Sequence, residues 1–502
     1  VCEKLCSEEN INKDCEACLS DYSLCKGIDD ENNNTENITD DKEEESGRIH
    51  EEGCILDAGH EGDCVTNDTV MLFSYVRDSK EIYVSFSGND DENDGTTKQR
   101  PYKPLAKAVD EAKDGDTIVV MDDITVEGIN GTARVTDKHI VITSIDPENP
   151  VTITRGDNLT ISDDNQSWYN SAIIEVTTNE NEDNENASSV TLENIILTDN
   201  GEHDGTYFAQ TNTEIDGNDA GNLAFVQDGM VTAHGKSNRQ VYIILGEGAV
   251  LKDFGGMSAV YATGGANIVM KDGSKITAEN VTDREKSSDK APKEETGPAG
   301  AIWMQGSTLV MEEDSSIENI IGRAVYIDGG TAEIDGNISG ITGDNDMWQG
   351  KSGVAIHLRG GAEAELQSNS SIKDIEIQGG NAVKVLAQCS FYMKDGSVIS
   401  DVIGGSAVSG SGSQDNDEDS IEIYIDGEIT GVKNGTGNNP VNAVNLNESD
   451  GLHCTIGPNA YIHENTVWYG AVYIQGSGIH LDHYGRIEDN YSTDKSGGIC
   501  LA

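Results

Sequence analysis

The sequence has few aromatic, proline and basic residues and no long hydrophobic run. Aromatic residues make up 5% of its 502 residues, prolines number 8, and 33 Lys and Arg stand against 91 Asp and Glu. No segment approaches the ~18 consecutive apolar residues of a transmembrane helix, so we expect no membrane span in this chain. The formal net charge of −58 repels phosphate backbones and anionic membranes, which excludes nucleic acid as a partner.

What the chain does contain is 56 glycines and a short repeated motif. Ala, then Val or Ile, then a variable residue recurs at intervals of 23 to 42 residues. The copies begin at Ala259, Ala301, Ala324, Ala355, Ala382, Ala407, Ala443, Ala471 and, in degenerate form, Gly498. Repeats of this length with variable insertions are typical of a solenoid.

Each repeat contains three short segments of alternating apolar and polar residues. In one repeat they are 382–386, 390–393 and 397–399, and Gly396 marks the turn before the third. Three short strands and three turns in each coil predict an all-β chain that folds as a right-handed parallel β-helix. The interior of the solenoid is then filled by rows of small and branched apolar side chains, to which each coil contributes its own.

The chain divides into three regions. Residues 1–70 form a cysteine-rich, acidic N-terminal segment with a linker that has the composition of a disordered chain. Residues 71–125 form an N-terminal cap, with an amphipathic helix near 104–113, and residues 126–502 form the β-helix. The last repeat stops as a coil begins, so we expect the solenoid to continue beyond Ala502. Open solenoid ends also favour end-to-end self-association.

Two segments resemble known protein families. The residues Tyr83-Val84-Ser85, Gly88-Asn89-Asp90, the stretch 104–110 and the stretch 114–118 resemble the N-terminal cap of the pectin-lyase-like β-helix superfamily. This resemblance implies the fold but no single activity, because the superfamily includes lyases, hydrolases, epimerases, tailspikes and adhesins. The segment 54–64 resembles segments of large surface proteins of Gram-positive gut anaerobes, which implies an extracellular location, secreted or attached to the cell wall.

Two segments offer ligands for metal ions. Seven of the ten cysteines lie in residues 1–64, and their spacing is compatible with disulfides, with a zinc site or with free thiols. The zinc alternative would use the first cysteine cluster, between Cys2 and Cys25, or the second cluster of Cys54, His60 and Cys64. The acidic loop 88–95 offers Asp90, Asp91 and Asp94 to Ca²⁺, although it lacks the final carboxylate of an EF-hand.

The alternation within the motif predicts which side chains face outward. If Val or Ile points into the coil, the next residue points out, which places Tyr261, Trp303, Tyr326, His357 and Lys384 in one column. A second column contains Gln305, Asp328 and Arg359. Aromatic residues suit sugar rings, so Tyr261, Trp303, Gln305, Tyr326 and, from a neighbouring turn, Trp348 are candidate glycan-binding residues. The alternative is an aromatic ladder that only stabilises the sheet.

Catalytic candidates occupy the same face. Asp328 with Asp344 or Asp346 would supply the two carboxylates of a glycosidase. Arg359 and Lys384, next to His357, would supply the base of a lyase acting on an acidic sugar. The sequence contains no Ser-His-Asp order and no His-Glu-x-x-His motif.

These observations favour a non-enzymatic function over an enzymatic one. The favoured function is a secreted or cell-surface β-helix that serves as a structural stalk or glycan-binding adhesin, with carbohydrate or other surface proteins as partners. The alternative is a carbohydrate-active enzyme, either a polysaccharide lyase or a glycoside hydrolase such as the β-helical lacto-N-biosidases.

Overall fold

A computed structural model describes residues 79–502 except 129, 157–171, 179–186, 200–207, 210–223, 226–228, 236–239, 255–257, 280–299, 344–352, 413–419, 436–440 and 448–450. Within these residues the chain is a right-handed parallel β-helix with one α-helix, α1, at Leu105–Glu111. The fold class predicted from the repeats is therefore confirmed. No helix among the described residues is long and apolar enough to cross a membrane.

The strands are short, and most span three to six residues. The first twenty are β1 Glu81–Val84, β2 Thr117–Val120, β3 Ile124–Val126, β4 Ala133–Thr136, β5 His139–Ser144, β6 Thr152–Arg155, β7 Ile174–Thr177, β8 Ser188–Glu193, β9 Ile196–Thr198, β10 Phe208–Ala209, β11 Ala224–Phe225, β12 Gly229–His234, β13 Val241–Leu245, β14 Val250–Lys252, β15 Ser258–Thr263, β16 Asn267–Met270, β17 Lys275–Thr277, β18 Gly300–Met311, β19 Ser316–Glu318 and β20 Arg323–Ile334. The others are β21 Asn337–Gly343, β22 Val354–Arg359, β23 Glu363–Leu366, β24 Ser371–Ile377, β25 Asn381–Val385, β26 Ser390–Met393, β27 Val398–Ser400, β28 Val402–Ile403, β29 Ser406–Ser411, β30 Ile421–Ile425, β31 Glu428–Thr430, β32 Val444–Asn447, β33 Leu452–Ile456, β34 Tyr461–His463, β35 Thr466–Val467, β36 Val472–Gln475, β37 Ile479–His483, β38 Arg486–Glu488, β39 Tyr491–Ser492 and β40 Ile499–Leu501.

The strands stack into three ladders, which we name A, B and C in the order in which a coil visits them. Ladder A is built from the Ala-Val/Ile strands and runs β4-β7-β12-β15-β18-β20-β22-β25-β29-β32-β36-β40. Ladder B runs β1-β2-β5-β8-β13-β16-β18-β20-β23-β26-β30-β33-β37, and ladder C runs β3-β6-β9-β14-β17-β19-β21-β24-β27-β31-β34-β38. All strand pairings among the described residues are parallel except that of β10 with β11.

Two strands belong to two ladders at once. The twelve-residue strands β18 and β20 begin in ladder A and end in ladder B without an interruption. The chain turns between the two halves at glycine: Gly330 has φ +98°, and an added Cβ would collide with the carbonyl oxygen of Ser307. A residue with a side chain is excluded there by both backbone conformation and space.

One continuous apolar core fills the coil. It runs from Ile82 to Ile474 and includes the Val or Ile of the first eight motif copies, from Val260 to Val472, whereas Ile499 of the degenerate ninth copy is exposed. Cys389 and Cys454 lie in this core as free thiols. At one end Leu105, Ala108 and Val109 of α1 pack into the same core, as the amphipathic pattern predicts.

Candidate functional site

The predicted outward column lies on ladder A. Pairing in parallel register joins Tyr261 to Trp303, Trp303 to Tyr326, Tyr326 to His357 and His357 to Lys384. The preceding Val or Ile of each strand is in the core, so the alternation sends these five side chains to the outer face. We refer to this set of five as the outer column.

The aromatic rings of the outer column pack on one another and are largely covered. Ring centroids are 5.1 Å apart for Tyr261 and Trp303, 5.8 Å for Trp303 and Tyr326, and 5.2 Å for Tyr326 and His357, in tilted or edge-on arrangements. None of the four side chains belongs to a residue more than 8% exposed. The rings therefore pack against their neighbours along the ladder, and little of their surface is exposed.

The second column is polar. Gln305, Asp328 and Arg359 are in register, and the first and last are exposed. Arg359 lies with Nε 3.5 Å from Oδ1 of Asp328 and donates from Nη1 to the Tyr326 hydroxyl at 3.3 Å. Asp328 is therefore held in an ion pair with Arg359.

The structure adds Arg323 to this face. Its guanidinium carbon is 5.3 Å from the centre of the Tyr326 ring, and the residue is only 5% exposed. Neither Nε nor Nη1 has a hydrogen-bond partner, and among the described residues no carboxylate forms an ion pair with it. Sequence analysis missed Arg323 because it precedes the motif. The signal was available, since among the nine copies only this one has a charged residue before Ala or its equivalent.

Other buried polar atoms next to Arg323 also lack partners. Both ring nitrogens of His357 and the indole Nε1 of Trp303 are buried without a hydrogen bond. Native proteins satisfy most buried polar groups, so several unsatisfied groups on neighbouring rungs are unusual. Arg323, Trp303 and His357 therefore present hydrogen-bonding capacity that the described residues do not use.

Burial and mutual repulsion shift the pKa values at this cationic end. Burial lowers the pKa of His357 well below its usual value, and Arg323, Lys384 and Arg359 lower it further, so the imidazole is neutral at pH 7. Burial first and Arg323 second lower the pKa of Lys384. Burial also lowers the pKa of Arg323 to about 10, and it raises the pKa of the Tyr326 hydroxyl.

The other predicted site residues are not placed on this face in the part of the chain that the structure describes. Asp344, Asp346 and Trp348 lie outside the described residues, as do Cys54, His60 and Cys64. In the acidic loop, the Asp90 carboxylate accepts a hydrogen bond from the Lys103 amide at 2.9 Å. Asp94 Oδ1 accepts a hydrogen bond from the Thr96 hydroxyl at 2.7 Å, and Asp94 Oδ2 lies 3.4 Å from Nε of Arg100. A Ca²⁺ site at Asp90, Asp91 and Asp94 stays a prediction.

Comparisons with known proteins find likenesses only among solved structures. No family model and no curated protein matches the sequence. A lacto-N-biosidase of glycoside hydrolase family 136 from Eubacterium ramulus matches with TM-score 0.45 and 14% identity, over 87% of this chain and 70% of that one. The family 28 exopolygalacturonase of Yersinia enterocolitica matches with TM-score 0.31 and 10% identity, over 84% of this chain and 78% of that one. Any functional conclusion therefore has to come from the side chains of this chain.

Proposed function

We propose that this chain is a secreted or cell-surface β-helix protein that binds an anionic carbohydrate at the cationic end of the outer column. The observation that carries the proposal is Arg323, a buried guanidinium with two unpartnered nitrogens and no carboxylate partner among the described residues. Keeping such a charge out of water is costly unless a partner compensates it. A carboxylate or sulfate on a sugar would be that partner, because the planar guanidinium matches it with paired hydrogen bonds.

The neighbouring groups support a hydroxylated ligand. The neutral imidazole of His357 has one donor and one acceptor, and the Trp303 indole has one donor. These groups suit sugar hydroxyls, which would reach them only if ligand binding uncovers this buried face. Recognition would then rest on hydrogen bonds, since the rings of Tyr261, Trp303 and Tyr326 pack against one another in tilted or edge-on arrangements and are buried. In a chain with net charge −58, an anion needs such a local concentration of Arg323, Arg359 and Lys384.

The test is titration calorimetry of the whole chain with acidic and neutral oligosaccharides, for example oligogalacturonates, sulfated glycans and neutral mucin oligosaccharides. We expect binding to an acidic class and loss of at least about tenfold in affinity in Arg323→Met, since each charge-assisted hydrogen bond is worth roughly 1.5–3 kcal/mol. Arg134→Met is the matched control. Arg134 also lies on ladder A, but it already pairs with Glu175 at 2.5 Å. Absence of binding to every class, or equal binding by Arg323→Met, would overturn the proposal.

A second candidate is a polysaccharide lyase, and the lowered pKa of Lys384 favours it. A lysine with a lowered pKa is a better general base near neutral pH, and Arg323 beside it would neutralise the carboxylate of a uronate. The base would take the proton next to the carboxylate, a carbon–carbon double bond would form, and the glycosidic oxygen would leave with a proton. Absorbance of the unsaturated product, lost in Lys384→Met while binding persists, would show this activity.

A glycosidase would need Asp328 together with Asp344 or Asp346.

The cellular context belongs to the same proposal. An excess of acidic residues suits an environment rich in salt and divalent cations. A surface protein of a Gram-positive gut anaerobe would fit the order of regions, which is a cysteine-rich segment at 1–70, a cap at 71–125 and a β-helix at 126–502. Disulfides in that segment and end-to-end association of the solenoid are further expectations. Protease treatment of intact cells would release the protein if it is displayed at the surface.

A further inference from the structure

Two histidines and an aspartate come together on a face far along the chain from the outer column. β33 and β37 are neighbouring rungs of ladder B, and His453 is in register with His480. Cys454 on β33 lies in the core, and Leu481 on β37 packs against the core. The neighbouring residues His453 and His480 therefore face outward. Asp482 follows His480 by two positions and therefore lies on the same face.

Their ligand atoms converge. Nε2 of His453 is 3.1 Å from Oδ2 of Asp482, and Nε2 of His480 is 3.3 Å from Oδ1 of the same carboxylate. One ligand atom from each of the three residues lies within 4.8 Å of the others, and no second group of this kind occurs in the part of the chain that the structure describes. All three side chains are at least 37% exposed, so an ion can reach them from solvent.

We propose that His453, His480 and Asp482 form a binding site for a divalent transition-metal ion of the Zn²⁺ type. Two imidazole nitrogens and one carboxylate are a ligand set that Zn²⁺ uses, with bonds of about 2.0–2.2 Å. Ligand atoms around a tetrahedral ion of that size lie about 3.3 Å apart, close to both histidine–aspartate distances here. Ca²⁺ and Mg²⁺ prefer oxygen ligands and would leave both imidazoles unused.

The site would link two successive coils. An ion held by His453 on one rung and by His480 and Asp482 on the next would join β33 to β37 through side chains as well as through backbone hydrogen bonds. Glu422 on β30 is in register with His453, on the side of β33 opposite to His480. It is exposed and offers another carboxylate to that ion. Three protein ligands would leave one position of a tetrahedral ion for water, Glu422 or an external group.

The test must separate this site from the cysteines of the N-terminal segment, which also offer zinc ligands. Histidine modification by diethyl pyrocarbonate, followed by peptide mass spectrometry of the full chain, reports each histidine separately. We expect Zn²⁺ to protect His453 and His480 from modification and to leave His483 unprotected, since that exposed residue is not part of the cluster. Ca²⁺ at the same concentration is expected to protect none of them.

Zinc titration of variants supplies the second measurement. His480→Gln and Asp482→Asn are each expected to lower the affinity for one equivalent of Zn²⁺ by at least about tenfold. His483→Gln should bind Zn²⁺ like the chain without substitutions. Asp482→Asn keeps the shape of the side chain, so it separates loss of a ligand from loss of folding. Unchanged zinc stoichiometry and affinity in both variants, equal protection of His483, or equal protection by Ca²⁺ would each overturn the proposal and leave only a hydrogen-bonded His–Asp–His group.

Discussion

Arg323 and His357 are two adjacent groups whose environment opposes their charged forms. Arg323 stays protonated at pH 7, because even the lowered pKa of about 10 is well above neutrality. His357 instead gives up its proton, because burial and three neighbouring cations all disfavour imidazolium. A buried charge next to a buried neutral imidazole is a costly arrangement for a β-helix that needs only apolar packing. This cost is the physical reason to expect a ligand at the site.

Replacing Arg323 by methionine should therefore separate stability from binding. Methionine keeps an extended side chain against Tyr326 but removes the buried charge, so we expect the free energy of unfolding to stay equal or to rise by up to about 4 kcal/mol. Urea unfolding followed by circular dichroism measures this change. Arg359→Met, on the exposed side of the same face, is the control and should change the midpoint little. A large loss of stability in Arg323→Met would mean that Arg323 has a structural role.

His357 should make the protein less stable in mild acid. Its pKa in the folded chain lies well below its usual value, so below about pH 6.5 the unfolded chain binds a proton that the folded chain rejects. Its contribution therefore favours unfolding increasingly as the pH falls from 6.5 toward the lowered pKa, by at most about 1.4 kcal/mol per pH unit. Urea unfolding at pH 7 and pH 5.5 should show a smaller loss for His357→Gln than for the unmodified chain. His483→Gln, an exposed control, should lose as much unfolding free energy between pH 7 and pH 5.5 as the chain without substitutions. Equal losses in the two variants and the unsubstituted chain would contradict the assignment of this effect to His357.

The strands and their register were predictable because the repeat carries the information in each coil. The segment predicted at 390–393 is the strand β26, and those predicted at 382–386 and 397–399 differ from β25 and β27 by one residue. Period-two alternation fixes which face is buried, so a shift in register would expose Val383 and bury Lys384. The coverage of the aromatic rings could not be predicted, since period-two alternation indicates which face a side chain lies on but not what packs over it. Arg323 was missed because a search confined to the motif omits the residue before it.

Breaking a buried ion pair in an early coil should cost more stability than breaking an exposed one. Arg155 at the end of β6 pairs with Asp199, just after β9, at 2.6 Å, and neither side chain is more than 1% exposed. Asp199→Asn removes one charge and leaves Arg155 buried, which we expect to cost about 3–5 kcal/mol of unfolding free energy. Glu111→Gln breaks the exposed pair of Lys107 and Glu111 on α1 and is the control, expected to leave the unfolding midpoint unchanged. Equal effects of the two substitutions would contradict this assignment.

The charge of the whole molecule should make its stability depend on salt. The whole chain carries a net charge of −58, and among the described residues carboxylates from successive coils converge in places. One groove is lined by Glu193, Glu247, Asp272, Glu312 and Asp314 with a single basic residue, Lys271. Like charges at these spacings repel one another more in the folded coil than in an extended chain, so repulsion opposes folding most when it is least screened.

We therefore expect the melting temperature to rise as sodium chloride is increased from about 10 mM to about 150 mM, because the screening length falls from about 30 Å to about 8 Å. Scanning calorimetry in the presence of a chelator measures this effect without a contribution from divalent ions. Choline chloride at equal ionic strength is the control. If screening is the cause, the two salts should act alike, whereas an effect of sodium alone would indicate specific cation binding at the carboxylates. A melting temperature that falls with salt would mean that the 33 basic residues form attractive networks that outweigh the repulsion among the 91 acidic ones.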